Sequence, residues 1–162
     1  MSLTAGLADR AYRLIPTHTL TGTARWYKVL ELELTEDSAR NVTLIVSDAG
    51  GSYTGILRIY FNRSDSNNTI TLSGSLSWLD IGGPWSEQDA CYNIDNTTNT
   101  YSLYIRKRSG STGGLSFQVL RSVSRGGSSF SLVDSFKSES ISTLPDTVSY
   151  AWGPTGSLWY PN

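Results

Sequence analysis

The 162-residue sequence has one cysteine, one histidine and one methionine. A single Cys excludes an intrachain disulfide, and one Cys with one His cannot assemble a zinc site. Charge is scarce too: Asp, Glu, Lys and Arg make up 17%, below the roughly 25% usual for soluble domains. The net charge is −1, and ten of the thirteen basic residues are Arg. A near-neutral chain has no electrostatic hold on a phosphate backbone, which argues against nucleic acid as the partner. No apolar run approaches the roughly 18 residues of a membrane-spanning helix, so membrane insertion is not expected. Residues 1–25 also lack the charged start and apolar run of a signal peptide. No segment keeps a helical period over three turns, because Gly or β-branched residues interrupt each candidate.

Ser and Thr occupy 42 positions, and short period-2 runs lie between clusters of Gly, Ser, Asn and Asp. In "RWYKVLELEL", strict alternation puts Trp26, Leu30, Leu32 and Leu34 with Lys28, and Tyr27, Val29, Glu31 and Glu33 opposite. "NVTLIVS" (41–47) groups Val42, Leu44 and Val46. "GILRIYFN" (55–62) sets Leu57, Ile59 and Phe61 against Arg58 and Tyr60. "TITLSGSLSWL" (69–79) lines up Ile70, Leu72, Leu76 and Trp78. "TYSLYIRK" (100–107) sets Tyr101, Leu103 and Ile105 against Tyr104 and Arg106, and "LSFQVLRSV" (115–123) aligns Leu115, Phe117, Val119 and Val123. "FSLVDSF" (130–136) is a weaker strand. The connectors "DAGGSYTG", "RSDSNN", "DNTTN", "RSGSTGG" and "SRGGSS" carry turn chemistry. The pattern predicts an all-β antiparallel sandwich of seven or eight strands, jelly-roll-like, with one core. Residues 1–24 read as a leader, and residues 25–162 as the sandwich with an aromatic C-terminal tail.

Catalytic chemistry is thinly represented. Cys91 needs a base within hydrogen-bond reach to act as a nucleophile. The one histidine, His18, lies in the unpatterned leader, so Cys91 reads as a small buried residue in a loop that links two strands. Glu87 and Asp89 have the i, i+2 spacing that puts two carboxyls on one strand face, as a glycoside hydrolase requires. Glu31 and Glu33 repeat that spacing and read as a solvent-facing row. "DNTTN" and "SDSNN" lack the regular ligand spacing of a calcium loop, and no Gly-rich stretch continues as a phosphate loop. Neither a metal nor a cofactor is therefore expected. Asn41, Asn62, Asn67 and Asn96 head Asn-x-Ser/Thr sequons, which the composition accounts for. Trp85, Trp152, Trp159 and Tyr160 lie outside the clear strands beside Gly and Pro. Such rings can cover the apolar face of a sugar, plug the sandwich or meet another subunit. Trp85, at a loop apex, Trp152 and Tyr160 are the candidate ligand contacts.

The stretch from about 25 to 120 resembles the C-terminal head domain of bacteriophage tail-fibre or receptor-binding proteins. The resemblance lies in "ARWYKVLELEL" as an opening strand, the Gly-rich "DAGGSYTGILRIYF", and a Ser-rich strand ending in "LSWLDI". The late pair "NTYSLYIRKRSGSTGGLSFQVL" and the aromatic ending add to it. It implies a non-catalytic homotrimer at the tip of a virion tail fibre that binds a host cell-surface glycan or protein receptor. The short leader departs from the pattern because it has no repetitive shaft. A bacterial carbohydrate-binding module or adhesin is the alternative, followed by a glycan-cleaving enzyme using Glu87 and Asp89.

Overall fold

A computed structural model describes residues 14–18, 25–48, 54–82, 85–107, 115–126 and 135–153. These form ten strands: β1 (Leu14–His18), β2 (Arg25–Glu33), β3 (Ser38–Asp48), β4 (Thr54–Ser66), β5 (Thr69–Ile81), β6 (Ala90–Asp95), β7 (Thr100–Lys107), β8 (Leu115–Arg125), β9 (Phe136–Ile141) and β10 (Ser149–Tyr150). One sheet has the order β1-β8-β3-β4-β5 and the other β10-β6-β7-β2-β9. All pairings within the two sheets are antiparallel. The protein is an all-β sandwich. The run β8-β3-β4-β5 has Greek-key order: a three-strand meander whose fourth strand returns beside the first.

The expected strands stand, and three further segments pair. Residues 14–18 of the expected leader form an edge strand against β8. "ACYNID", taken with its surroundings as a connecting loop, is strand β6. The tail supplies β9 and β10. Of the weak candidate at 130–136, residues 130–134 lie outside the described residues, and β9 starts at its last residue, Phe136. Most of "DAGGSYTG", all of "RSGSTGG" and the end of "SRGGSS" also lie outside them. The β4–β5 turn is shorter than "RSDSNN" suggests. It consists of Asn67 and Asn68, both at positive φ (50° and 61°), the backbone of a two-residue hairpin turn.

The core fills the space between the sheets. Val42, Leu44, Val46, Leu57, Ile59, Phe61, Leu76 and Trp78 come from one inner face; Leu30, Leu32, Tyr101, Leu103 and Ile105 come from the other. Each such side chain, fully buried, contributes roughly 1.5–3 kcal/mol. Aromatic pairs bridge the sheets: Phe61 with Tyr101 (centroids 5.4 Å apart) and Phe117 with Phe136 (5.3 Å). Tyr92 stacks on Tyr101 at 4.8 Å. Both hydroxyls donate to carbonyls of β5, Tyr92 to Gly74 at 2.8 Å and Tyr101 to Ser75 at 3.3 Å, so neither of these phenols goes unpaired. Gly74 leaves room for this stack, since a Cβ there would lie 3.0 Å from Tyr101 Cε2.

Register slips in β2 and β8 change which side chains face out. In β2 the register slips between Lys28 and Leu30. Val29 and Leu30 are both buried, and Tyr27 and Val29 join Leu32 and Leu34 inside. The expected grouping of Val29 with Glu31 and of Lys28 with the leucines is therefore corrected. An extra residue shifts a period-2 pattern by one, so Lys28, Glu31 and Glu33 share the outer face. In β8, Thr43 pairs Arg121 while Leu44 pairs Val119. Leu120 is the extra residue, and Val123, expected in the core, is 45% exposed on the outer face.

Candidate functional site

The outer face of the second sheet forms a cavity of about 780 Å³. Strand β2 contributes Lys28, Glu31 and Glu33, β7 contributes Thr100, Ser102 and Tyr104, and β6 contributes Asn93 and Asp95. The 97–99 turn and Pro145 complete the wall. The β2 bulge places the first three here: residues 28 and 31 would lie on opposite faces of an unbulged strand. With the bulge, Lys28 Nζ reaches Glu31 Oε2 at 2.9 Å and Glu139 Oε2 on neighbouring β9 at 3.1 Å. Partial burial alone would lower the Lys28 pKa. The hydrogen bonds and charges of Glu31 and Glu139 outweigh that effect and raise it, so the ammonium is a fixed cation.

The rest of the cavity is ordered by local bonds. Asp95 opens the 95–99 turn, where its Oδ1 accepts from the Thr97 backbone N–H at 2.8 Å and from Thr98 N–H at 3.4 Å. These bonds to the charged form hold its carboxyl below the ordinary carboxylate value. Thr147 donates its hydroxyl to Asn93 Oδ1 at 2.6 Å, tying the segment before β10 to β6. Tyr104 is buried although its row faces outward, and burial raises its pKa, so it remains a neutral hydroxyl. The cavity thus offers hydroxyls, amides, carboxylates and one ammonium in fixed positions. That donor and acceptor set matches a polyhydroxylated ligand.

The residues singled out from sequence are scattered by the fold. Trp85 is 9% exposed and packs on Trp78, with ring centroids 5.9 Å apart. Its ring closes the core at the β5–β6 connection rather than standing at a loop apex, because so large an apolar surface gains most by burial. Trp152 is 59% exposed. Its carbonyl accepts from Trp78 N–H at 2.9 Å, and its own N–H donates to the Leu76 carbonyl at 3.3 Å. The preceding Ala151 N–H donates to the Ala90 carbonyl at 2.9 Å. Residues 149–152 therefore stitch edge strand β5 of one sheet to β6 of the other. Tyr160 and Trp159 lie outside the described residues.

Glu87 and Asp89 do not form a facing pair. They occupy a single 3-10 turn in which Glu87 is exposed and Asp89 is buried. Asp89 Oδ2 accepts from Ser86 N–H at 2.7 Å and from Ser86 Oγ at 3.1 Å, a capping role. A turn of three residues rotates neighbours apart, whereas a strand would have aligned them. Cys91 is fully buried, and burial pushes its thiol up to about 12, which suppresses the nucleophilic thiolate. Register places Cys91 and Tyr104 on the outer row between β10 and β2. The rings of Trp26 and Tyr150, 6.3 Å apart, meet across this row. The His18 backbone pairs with Leu115, and its side chain lies outside the described residues. Among the described residues, no cluster of three or more His, Cys, Asp or Glu is placed to hold a metal ion. No helix there is long and apolar enough to cross a membrane.

Sequence reasoning missed Asn93, Ser102 and Tyr104 as site residues, since polar residues alternating with core residues look like any solvated strand face. The signal within reach was Lys28 followed by Glu31 and Glu33, which line the cavity once a bulge is allowed.

Fold and cavity define an antiparallel β-sandwich with a concave, polar sheet face. No family model and no curated protein matches the chain. Among solved structures it is similar to WceF of Pantoea stewartii, described as a glycan biofilm modifying enzyme with a bacteriophage tailspike-like parallel β-helix fold. The identity is 14% and the TM-score 0.43, over 87% of this chain and 22% of that one. The chain thus spans about a fifth of that protein's length, and a likeness of this size carries no argument about function.

Proposed function

We propose that the chain is a non-catalytic receptor-binding head of a phage or prophage tail fibre, and that it binds host cell-surface glycan in the cavity on the second sheet. The observation that carries the ligand class is the cavity lining: hydrogen-bonding side chains fixed by the Lys28–Glu31–Glu139 and Asn93–Thr147 contacts. Groups already ordered before binding lose little entropy on contact with a sugar. The tail-fibre assignment rests on the resemblance in strand order and texture of residues from about 25 to 120 and carries with it a homotrimer at the virion tip. The non-catalytic reading of the acid pairs is supported by the buried, capped Asp89 and by the engagement of Glu31 with Lys28.

A glycan array of bacterial envelope polysaccharides, probed with the purified chain and with Asn93→Ala and Ser102→Val, tests the reading. Binding by the wild type that drops with both variants is expected. Binding that ignores both variants overturns the cavity as the site. Light scattering separates the trimeric fibre head from a monomeric bacterial carbohydrate-binding module. Release of reducing sugar from a bound polysaccharide would refute the non-catalytic assignment.

A further inference from the structure

The outer face of the first sheet has the opposite electrostatic character. The β8 bulge turns Arg121 outward, opposite Thr43, which pairs on its other side with exposed Arg58. Two strand spacings separate the Cα atoms of Arg58 and Arg121 by about 9.5 Å. Both side chains are long enough to converge above Thr43. The neighbouring row places Tyr60, Asn41 and Val123 side by side. Neither row contains a carboxylate, and Asp80 stands in the row beyond, opposite Ile56. Among the described residues the ion pairs involve only Lys28 and Arg63 as cations, so Arg58 and Arg121 have no carboxylate partner there.

We infer that this face binds the carboxylate or phosphate groups of an acidic polysaccharide, with Arg58 and Arg121 closing on the anion across Thr43. Guanidiniums carried on strands of fixed spacing, with no carboxylate partner among the described residues, are the side chains best suited to forked bonds with such groups. Ser77 beside Arg58, Ser75 beside Tyr60, and Asn41 supply partners for sugar hydroxyls. The polar texture favours a glycan over a second copy of this chain, because the core of a stable protein interface is depleted in charge and richer in apolar area. The net charge of −1 and the single aromatic ring in these rows disfavour a nucleic acid strand. The site is independent of the second-sheet cavity, where Glu31, Glu33, Asp95 and Glu139 would repel the same anion.

Calorimetric titration of the intact chain with sodium oligogalacturonate tests this, alongside a neutral malto-oligosaccharide and an oligo-dT strand. The acidic sugar should bind, and weaken with added salt as a surface ion contact does. Each of Arg58→Gln and Arg121→Gln should reduce affinity about tenfold, the loss of one charged hydrogen-bond pair. Arg106→Gln, an exposed arginine on the other sheet, should leave it unchanged. The inference is overturned by absence of binding, by an equal loss in Arg106→Gln, or by preference for the neutral sugar or for oligo-dT. A change in light-scattering mass on Arg58→Gln would assign the face to self-association instead. Failure here leaves cavity binding intact, since the Asn93 and Ser102 variants report on that site alone.

Discussion

Alkaline pH should destabilise the wild-type chain more steeply than a Cys91→Ala variant. The Cys91 side chain has no exposed surface, and burial alone moves its thiol from the ordinary 9.0 up to about 12. In the unfolded chain the thiol ionises near 9, while in the folded chain it keeps its proton until about 12. Between those values the folded state binds more protons than the unfolded one. Stability from this group is therefore fully present below the unfolded pKa and is lost as pH rises toward the folded pKa. Each pH unit corresponds to about 1.4 kcal/mol, so roughly 2–3 kcal/mol should be gone by about pH 11. Burial raises Tyr101 and Tyr104 as well, but both remain in the variant and largely cancel in the difference. Urea midpoints followed by tryptophan fluorescence under reducing conditions, at matched pH for the two proteins, give the comparison. The slopes matter rather than the absolute values, because the substitution also removes the buried sulfur. Parallel loss of stability in the two proteins across this window would refute the reasoning. So would alkylation of Cys91 in the folded protein at the rate of an open thiol.

Two further perturbations probe the packing that positions the sheets. Gly55→Ala should cost roughly 1–3 kcal/mol in urea unfolding, since overpacking a filled core forces neighbours off their minima. The added Cβ would meet Trp78 Cζ3, with Trp78 Cε3 at 3.1 Å and the Asp80 carbonyl at 3.3 Å. At the stitch between the sheets, Trp152→Ala should change stability by less than about 0.5 kcal/mol, because the ring is exposed and only the backbone bonds across. Ala151→Asp, at a buried position in the same segment, should lower the thermal midpoint far more by forcing an unpaired carboxylate inside.

Strand identity was legible wherever period-2 alternation ran without interruption. Leu57, Ile59 and Phe61 are inside with Arg58 and Tyr60 outside, as their spacing alone implies. Tyr101, Leu103 and Ile105 behave in the same way. Turn residues were legible too, and Asn67–Asn68 folds as a tight hairpin because asparagine tolerates positive φ. Alternation reports a face only while the register holds, and a bulge is set by pairing with the neighbouring strands. Val29 and Leu120 look like ordinary strand residues in the sequence. Only their partners on β7, β9 and β3 reveal them at a slip. Strand β6 was hidden because it is short and its inward Ala90, Tyr92 and Ile94 alternate with Cys91, Asn93 and Asp95, a weak signal until β7 and β10 flank it.

The amino-acid sequence by itself determined the class of this protein: an antiparallel sandwich, because apolar faces at period two, with no helical segment to cover them, are buried by a second sheet. It also excluded an intrachain disulfide and a Cys–His zinc site, because the chain has one Cys and one His. The tertiary structure decided what lies on the outside. Trp85 went into the core because its apolar area was most favourably covered there, and Trp152 remained exposed because its backbone, not its ring, joins the sheets. Two register slips then placed Lys28 beside Glu31 on one outer face and Arg121 across from Arg58 on the other. Those juxtapositions come from hydrogen-bonded pairing between strands distant in the chain, and no local pattern of residues encodes them.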